Sequence, residues 1–340
     1  MPRPFKIDLA LQGGGSHGAF TWGVLDALLQ DETLGFAGVC GTSAGALNAA
    51  VMATGLAAGG AAGARRALAA FWADVGASSA CFGLDPFDTA QKLQDNPMFG
   101  WFSAAMRSVS PYQFNPLGIN PLREVLKRHV DEAALRKGPL KLFVNATSVV
   151  TGQPRIFSGA SLGLDALLAS ACLPQLFQAV QIDGVPYWDG GYSGNPALWP
   201  LIYETAAVDL LLVRINPLQR AGTPTTAMEI LDRVNEITFN AGLVGEMRAI
   251  AFVSRLLKEQ RLDGNRYKDL RLHMIGDDAA LADFPSSTKL NTDPRLLQQL
   301  FQRGQQVAND WLKQHRDDIG ERSTLDIEQT FLSPRDLGLR

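Results

Sequence analysis

Three short stretches hold the residues whose types could do chemistry. Gly41-Thr42-Ser43-Ala44-Gly45 sets a hydroxyl at the centre of a G-x-S-x-G turn. Small neighbours on both sides let Ser43 stand clear of the backbone as a nucleophile. Gly13-Gly14-Gly15-Ser16-His17-Gly18 can present successive backbone N–H groups without side-chain interference, which is what a developing oxyanion requires. Asp189-Gly190-Gly191 places a carboxylate at a sharp turn, where it can face a pocket. Together these types suit acyl transfer through a serine, provided that a base reaches Ser43.

The base is the open question. Four histidines are available: His17, His129, His273 and His315. A histidine-dependent α/β-hydrolase keeps its imidazole on a loop after a late strand. His17 lies inside the glycine loop, His129 and His315 sit at helix ends, and His273 falls within a strand pattern, so His273 stays in view as a rival. Asp189 is the better partner, because a lone carboxylate can serve as base when held within reach of the hydroxyl or when its surroundings raise its proton affinity. Asp183-Gly184 reads as a plain turn. Gly13, Gly15 and Gly18 also satisfy the dinucleotide fingerprint, but the second strand ends at Cys40 and runs into Gly41, with no ribose-binding acid there.

Around these motifs the pattern alternates strand and helix. Ile7 to Leu11 predicts a buried strand and His17 to Gln30 a helix. Phe36 to Cys40 predicts a second strand, and Ala44 to Leu56 and Ala64 to Val75 two helices parted by an alanine-glycine run. Asn120-Pro121 starts a helix to about Val130. Leu140 to Val150 and Arg155 to Phe157 predict strands, Leu164 to Cys172 a helix, and Gln178 to Trp188 a hairpin through Asp183-Gly184. Val208 to Ile215 and Leu270 to Ile275 predict strands, with long helices at Thr226 to Glu259 and Asp293 to His315. Residues 81–120 break the pattern with scattered aromatics, prolines and glycines, and predict an excursion over the domain surface that either packs onto the core or serves as a lid or substrate flap. The expectation is a single catalytic domain over 1–340, mainly helical after 222.

Composition narrows the class. The 340 residues are 46% hydrophobic and 19% charged with a net charge of -3, which gives no reason to expect a nucleic-acid partner. Basic residues from Arg123 to Lys141 are interrupted by acids, as on a solvated helix face. Cys40, Cys81 and Cys172 are widely spaced and predict buried thiols. The opening residues Met-Pro-Arg-Pro-Phe-Lys predict no secretory segment. Val39 to Gly63 comes nearest to a membrane span, but its glycines, Ser43 and Asn48 spoil it. A cytoplasmic location follows as the expectation, with transient contact at a membrane surface.

The glycine loop, the serine elbow and the Asp-Gly-Gly turn, in that order, resemble the patatin-like phospholipase family. The motifs cover residues 7–50 and 178–198, and Ser286-Ser287-Thr288-Lys289-Leu290-Asn291 is similar to bacterial members. The resemblance implies a three-layer α/β/α fold with a central, mostly parallel sheet. It implies Ser43 as nucleophile and Asp189 as its base, without histidine. The amides of Gly13, Gly14 and Gly15, with Ser16 as a further donor, would form the oxyanion hole, supported by Gly18, Gly41, Gly45, Gly190 and Gly191. It implies no metal and no cofactor, and an acyl lipid or other acyl ester as substrate. A polyester or thioester would present the same carbonyl, and a non-catalytic lipid-binding protein is the remaining alternative. Two positions depart from the family: His17 stands where a basic Arg or Lys is common, and Gln12 precedes the glycines, a change read as neutral.

Overall fold

The protein is seen in a computed structural model that describes residues 5–77, 109–220, 222–276 and 286–332, together with 278, 281 and 284. Of the flap expected at 81–120, residues 81–108 lie outside the described residues. From 109 onward a single helical turn, Pro111–Phe114, is boxed in by Ser110 and Gln113. It is pinned to the later hairpin, where Gln178 Nε2 donates to the Asn115 carbonyl at 2.7 Å.

Eight strands among the described residues form one sheet: β1 (Phe5–Leu11), β2 (Leu34–Thr42), β3 (Lys141–Ser148), β4 (Pro154–Ser158), β5 (Val180–Ile182), β6 (Val185–Asp189), β7 (Asp209–Val213) and β8 (Arg271–Ile275). Strands β3, β2, β1, β7 and β8 run parallel, and β4, β5 and β6 are antiparallel additions at one side. Both faces are covered, because successive side chains of a strand point to opposite faces. On β1 and β7, Ile7, Leu9, Leu11, Leu211 and Val213 belong to one apolar core. Ala10, Leu210 and Leu212 belong to a second. The first core is closed by α1 (Gly18–Leu28), α2 (Ala44–Ala77), α3 (Leu122–His129), α4 (Glu132–Lys137), α5 (Leu164–Ser170) and, late in the chain, α8 (Pro294–His315). The second is closed by α6 (Trp199–Glu204) and α7 (Ala227–Lys258). This is the three-layer arrangement, with a mostly parallel sheet, that the resemblance implies. Beyond residue 222 the described chain holds α7 and α8 but also β8, which pairs with β7.

Helix α2 is two helices in effect. Gly59 and Gly60 leave helical geometry, and the halves fold back so closely that Gly55 lies against Ala64. Its apolar window is long enough to cross a membrane, yet 61% of that window is buried inside the fold, as in a core helix.

The edges of β3 carry the main consequence for function. Strand β4 occupies one edge over Phe143 to Thr147. On the other edge β2 pairs in parallel up to Thr42 opposite Asn145. Where β2 stops, β6 takes over that edge, with Asp189 opposite Ala146. The chain leaving β2 at Ser43 therefore turns up beside the end of β6.

Candidate active site

Ser43 sits between the last residue of β2 and the first of α2 with φ 52, a left-handed conformation that a non-glycine residue rarely adopts. The elbow is clamped on each side. Its own N–H donates to Ser170 Oγ at 2.9 Å, and Thr42 Oγ1 donates to the Gly194 carbonyl at 2.9 Å. Its carbonyl accepts from Leu47 at 3.0 Å and so begins the helix. Gly41 and Gly45 are the close-packed positions of the turn, with Gly45 backed onto the Leu11 and Gln12 carbonyls. The sequence motif thus forms the strained turn expected of it.

Asp189 ends β6 and is fully buried. Its N–H donates to the Cys172 carbonyl at 2.7 Å, and its carbonyl accepts from Thr147 Oγ1 at 2.8 Å. Asn145 Nδ2 donates to the Gly190 and Gly194 carbonyls at 2.9 and 2.7 Å, which locks the turn that follows. Within the carboxylate, Oδ1 accepts the Gly191 N–H at 2.8 Å, while Oδ2 is buried and has no closed hydrogen bond among the described residues. Burial pushes the carboxyl up to about 7; the Ser43 hydroxyl beside it and the Gly191 amide pull it part of the way back. The hydroxyl is near enough to favour the charged form without a hydrogen bond that closes, a looseness common in sites without substrate.

The glycine loop lies against the same serine. A Cβ on Gly13 would come within 2.7 Å of Ser43 Cβ, so only glycine fits there. Gly15 has φ 58 and lies under the Lys289 carbonyl, which turns the loop into a short 3-10 turn, Gly15–His17, ahead of α1. Gly18 backs onto Ala44, the residue after the serine. Gly13, expected as an oxyanion donor, spends its N–H on Asn195 Oδ1 at 2.6 Å. No hydrogen bond from the amides of Gly14, Gly15 or Ser16 is present among the described residues. Gly190 backs onto the Asn145 carbonyl, and Gly191 lies under the Phe239 ring.

The polar frame around the loop escaped the sequence reading. Gln12 is not neutral. Fully buried, its Oε1 accepts from the Ile215 and Asn216 amides, both at 2.9 Å, and its Nε2 donates to the Asn195 carbonyl at 3.1 Å and Asn240 Oδ1 at 3.3 Å. Asn216 Nδ2 donates to the Gly13 carbonyl at 2.7 Å, and Asn216 Oδ1 accepts from Lys289 Nζ at 2.7 Å. Residues 286–290, the stretch noted for its similarity to bacterial members, thus brace the loop. No local pattern marks Asn195 or Asn216, which come from the segments that follow β6 and β7. His17 is buried, bonded to Thr288 Oγ1 at 2.8 Å, and pushed down to about 3 by burial and by the Lys289 and Arg220 charges. It is neutral at physiological pH and does not replace the basic residue common there.

The other histidines are engaged elsewhere: His129 with Asp74, His315 with Asp318, and His273 with Asp209 and Thr324. His273 lies on β8, three strands from β2, about 14 Å at ordinary strand spacing. No histidine among the described residues hydrogen-bonds to Ser43. Cys40 and Cys172 are buried, as expected; Cys81 lies outside the described residues.

The geometry can therefore support serine acyl transfer. Among known proteins, the family model for patatin-like phospholipase matches residues 9–202. No curated protein matches the chain. VipD from Legionella pneumophila aligns at TM-score 0.38 and 13% identity, over 97% of this chain and 73% of that one. Full-length ExoU with SpcU from Pseudomonas aeruginosa aligns at TM-score 0.31 and 15% identity, over 90% of this chain and 53% of that one. A second ExoU–SpcU structure from the same organism gives 0.33 and 15%, over 97% and 58%. The chain spans little more than half of the matched ExoU–SpcU chains.

Proposed function

We propose, from the premise that the chain belongs to the patatin-like phospholipase family, that it is a lipid acyl hydrolase working through a Ser43–Asp189 dyad and an acyl-serine intermediate. The observation that carries the reading is the shared edge of β3, which brings a buried carboxylate with one unpaired oxygen beside a strained, clamped serine. Asp189 accepts the Ser43 proton as Oγ bonds to the ester carbonyl carbon, and the carbonyl electron pair moves onto oxygen. The amides of Gly14 and Gly15 receive that oxyanion, with Ser16 next in line. As the tetrahedral species collapses, the bond to the leaving alkoxide breaks and the proton on Asp189 goes to it. Water then loses a proton to Asp189, attacks the acyl-serine, and the collapse returns that proton to Ser43. A carboxyl poised near neutral pH suits both directions of transfer. A cytoplasmic location and a membrane-borne acyl lipid go with this reading.

A fluorophosphonate probe tests it. Label should attach to the wild-type protein and vanish in Ser43→Ala, together with hydrolysis of acyl esters. Label retained in Ser43→Ala would refute the nucleophile.

A further inference from the structure

Helix α7 has two unlike faces. Its inner face walls the site: Phe239 covers Gly191, Asn240 bonds to Gln12, and Leu243 and Met247 join the second core. Its outer face shows Ile230, Leu231, Val234 and Ile237, between 45% and 54% exposed, with Phe252 further along at 52%. The spacing i, i+1, i+4, i+7 puts the four aliphatics on one side of the helix. From 234 to 245 the exposed residues are Val234, Asn235, Ile237, Ala241 and Gly245, none of them charged. A solvated helix face ordinarily carries charge there, and a continuous apolar stripe marks a surface that meets something.

Resting on the acyl-hydrolase reading above, we infer that this outer face of α7 seats the protein on an anionic lipid surface. Three features select a lipid over a protein occupant. The stripe is the reverse side of the wall of the Asp189 turn, about one helix diameter (~10 Å) away, so a bilayer docked there lies within a helix's width of the site. The exposed charges near the stripe are mostly basic, with Glu229 and Glu259 the exposed acids at the two ends of the helix. Arg220 is 40% exposed, and Arg248, Arg255 and Lys258 lie at the surface, while Glu236 is buried beneath Arg220 and Arg233. Glu229 is engaged with the Thr225 and Thr226 amides. Such a border complements anionic headgroups. Helix α6, which shares an apolar core with α7, adds exposed Trp199 and Tyr203, ring types suited to interfacial depth.

The test compares wild type, Ser43→Ala and the double variant Val234→Glu/Ile237→Glu in sedimentation with phosphatidylcholine vesicles and with phosphatidylcholine–phosphatidylglycerol vesicles. Turnover of vesicle phospholipid and of a soluble short-chain ester is read in parallel. Circular dichroism checks the fold, and Val234→Ser/Ile237→Ser serves if the glutamates perturb it. Ser43→Ala should bind vesicles like wild type, tighter with phosphatidylglycerol and weaker as salt rises. The double variant should lose about tenfold or more in vesicle binding and in vesicle turnover, with the soluble ester unaffected. Unchanged vesicle binding by the folded variants would overturn the inference. So would a dimer that these substitutions split while vesicle binding stays the same, since a second copy would then cover the face. A protein that binds vesicles through α7 yet hydrolyses neither ester would sink the hydrolase reading and leave the docking face standing.

Discussion

Asp189 and Asp209 are both fully buried aspartates at strand ends, the one closing β6 and the other opening β7, and their carboxyls behave oppositely. Asp209 Oδ2 accepts from Arg271 Nε and Nη2 at 3.0 and 2.8 Å, and Oδ1 accepts from His273 Nε2 at 3.1 Å and the Gly320 amide at 2.8 Å. Burial raises its proton affinity, but these partners outweigh it and hold the carboxyl down at about 2. Asp189 has one closed hydrogen bond and a carboxyl pushed up to about 7. Burial alone does not make a base; burial with too few partners does. Asp209 is a rivet that ties β8 and the turn at Gly320 to β7. Asp189 keeps unspent proton affinity, which the proposed dyad would use on Ser43.

The largest break in that contrast is Asp189→Asn. Hydrolysis should fall by about 10³–10⁴. In wild type kcat/KM should rise as pH climbs through about 7, where Asp189 ionises, and the variant should lose that limb. Stability should move the other way. Because the folded carboxyl holds its proton above the ordinary value of 3.8, wild type loses stability as pH rises from about 4 to about 7. That loss is on the order of 4 kcal/mol, and the asparagine should recover part of it, visible as a higher Tm at pH 8. A drop in Tm with activity retained would reverse the assignment.

Gln12→Ala should come next. Without the Gln12 bonds to Ile215, Asn216 and Asn195 the glycine amides lose their aim, so kcat should fall by about 10² with KM little changed. Equal loss in KM would point to binding instead. The smallest effect on catalysis belongs to Asp209→Asn, where kcat should stay within about twofold. Its folded carboxyl lies below the ordinary value, so its contribution is present above about pH 4 and lost as pH falls through about 2. Denaturant titration at pH 7 should show a loss of about 2 kcal/mol in the variant. A large fall in kcat in Asp209→Asn would make the cluster part of the site.

Much of this was readable in the chain itself. The period of apolar residues marked the strands and long helices, and the glycine punctuation marked both turns and the break within α2. Those are local matters, set by backbone sterics and side-chain spacing, so Ser43 as a hydroxyl standing clear of the backbone on a turn needed no tertiary information. The roles of Gln12, Asn195, Asn216 and Ser170 were hidden, because each acts through a hydrogen bond spanning more than a hundred residues. The spending of the Gly13 amide on Asn195 was hidden for the same reason.

The sequence by itself determined which groups could react and which segments would be strand, turn or helix, since both depend on neighbours along the chain. Only the tertiary structure decided which of two buried aspartates is short of partners, and that a late antiparallel strand inherits the edge β2 vacates. Proton affinity and proximity are properties of what surrounds a group in space, and the chain brings those surroundings from far apart.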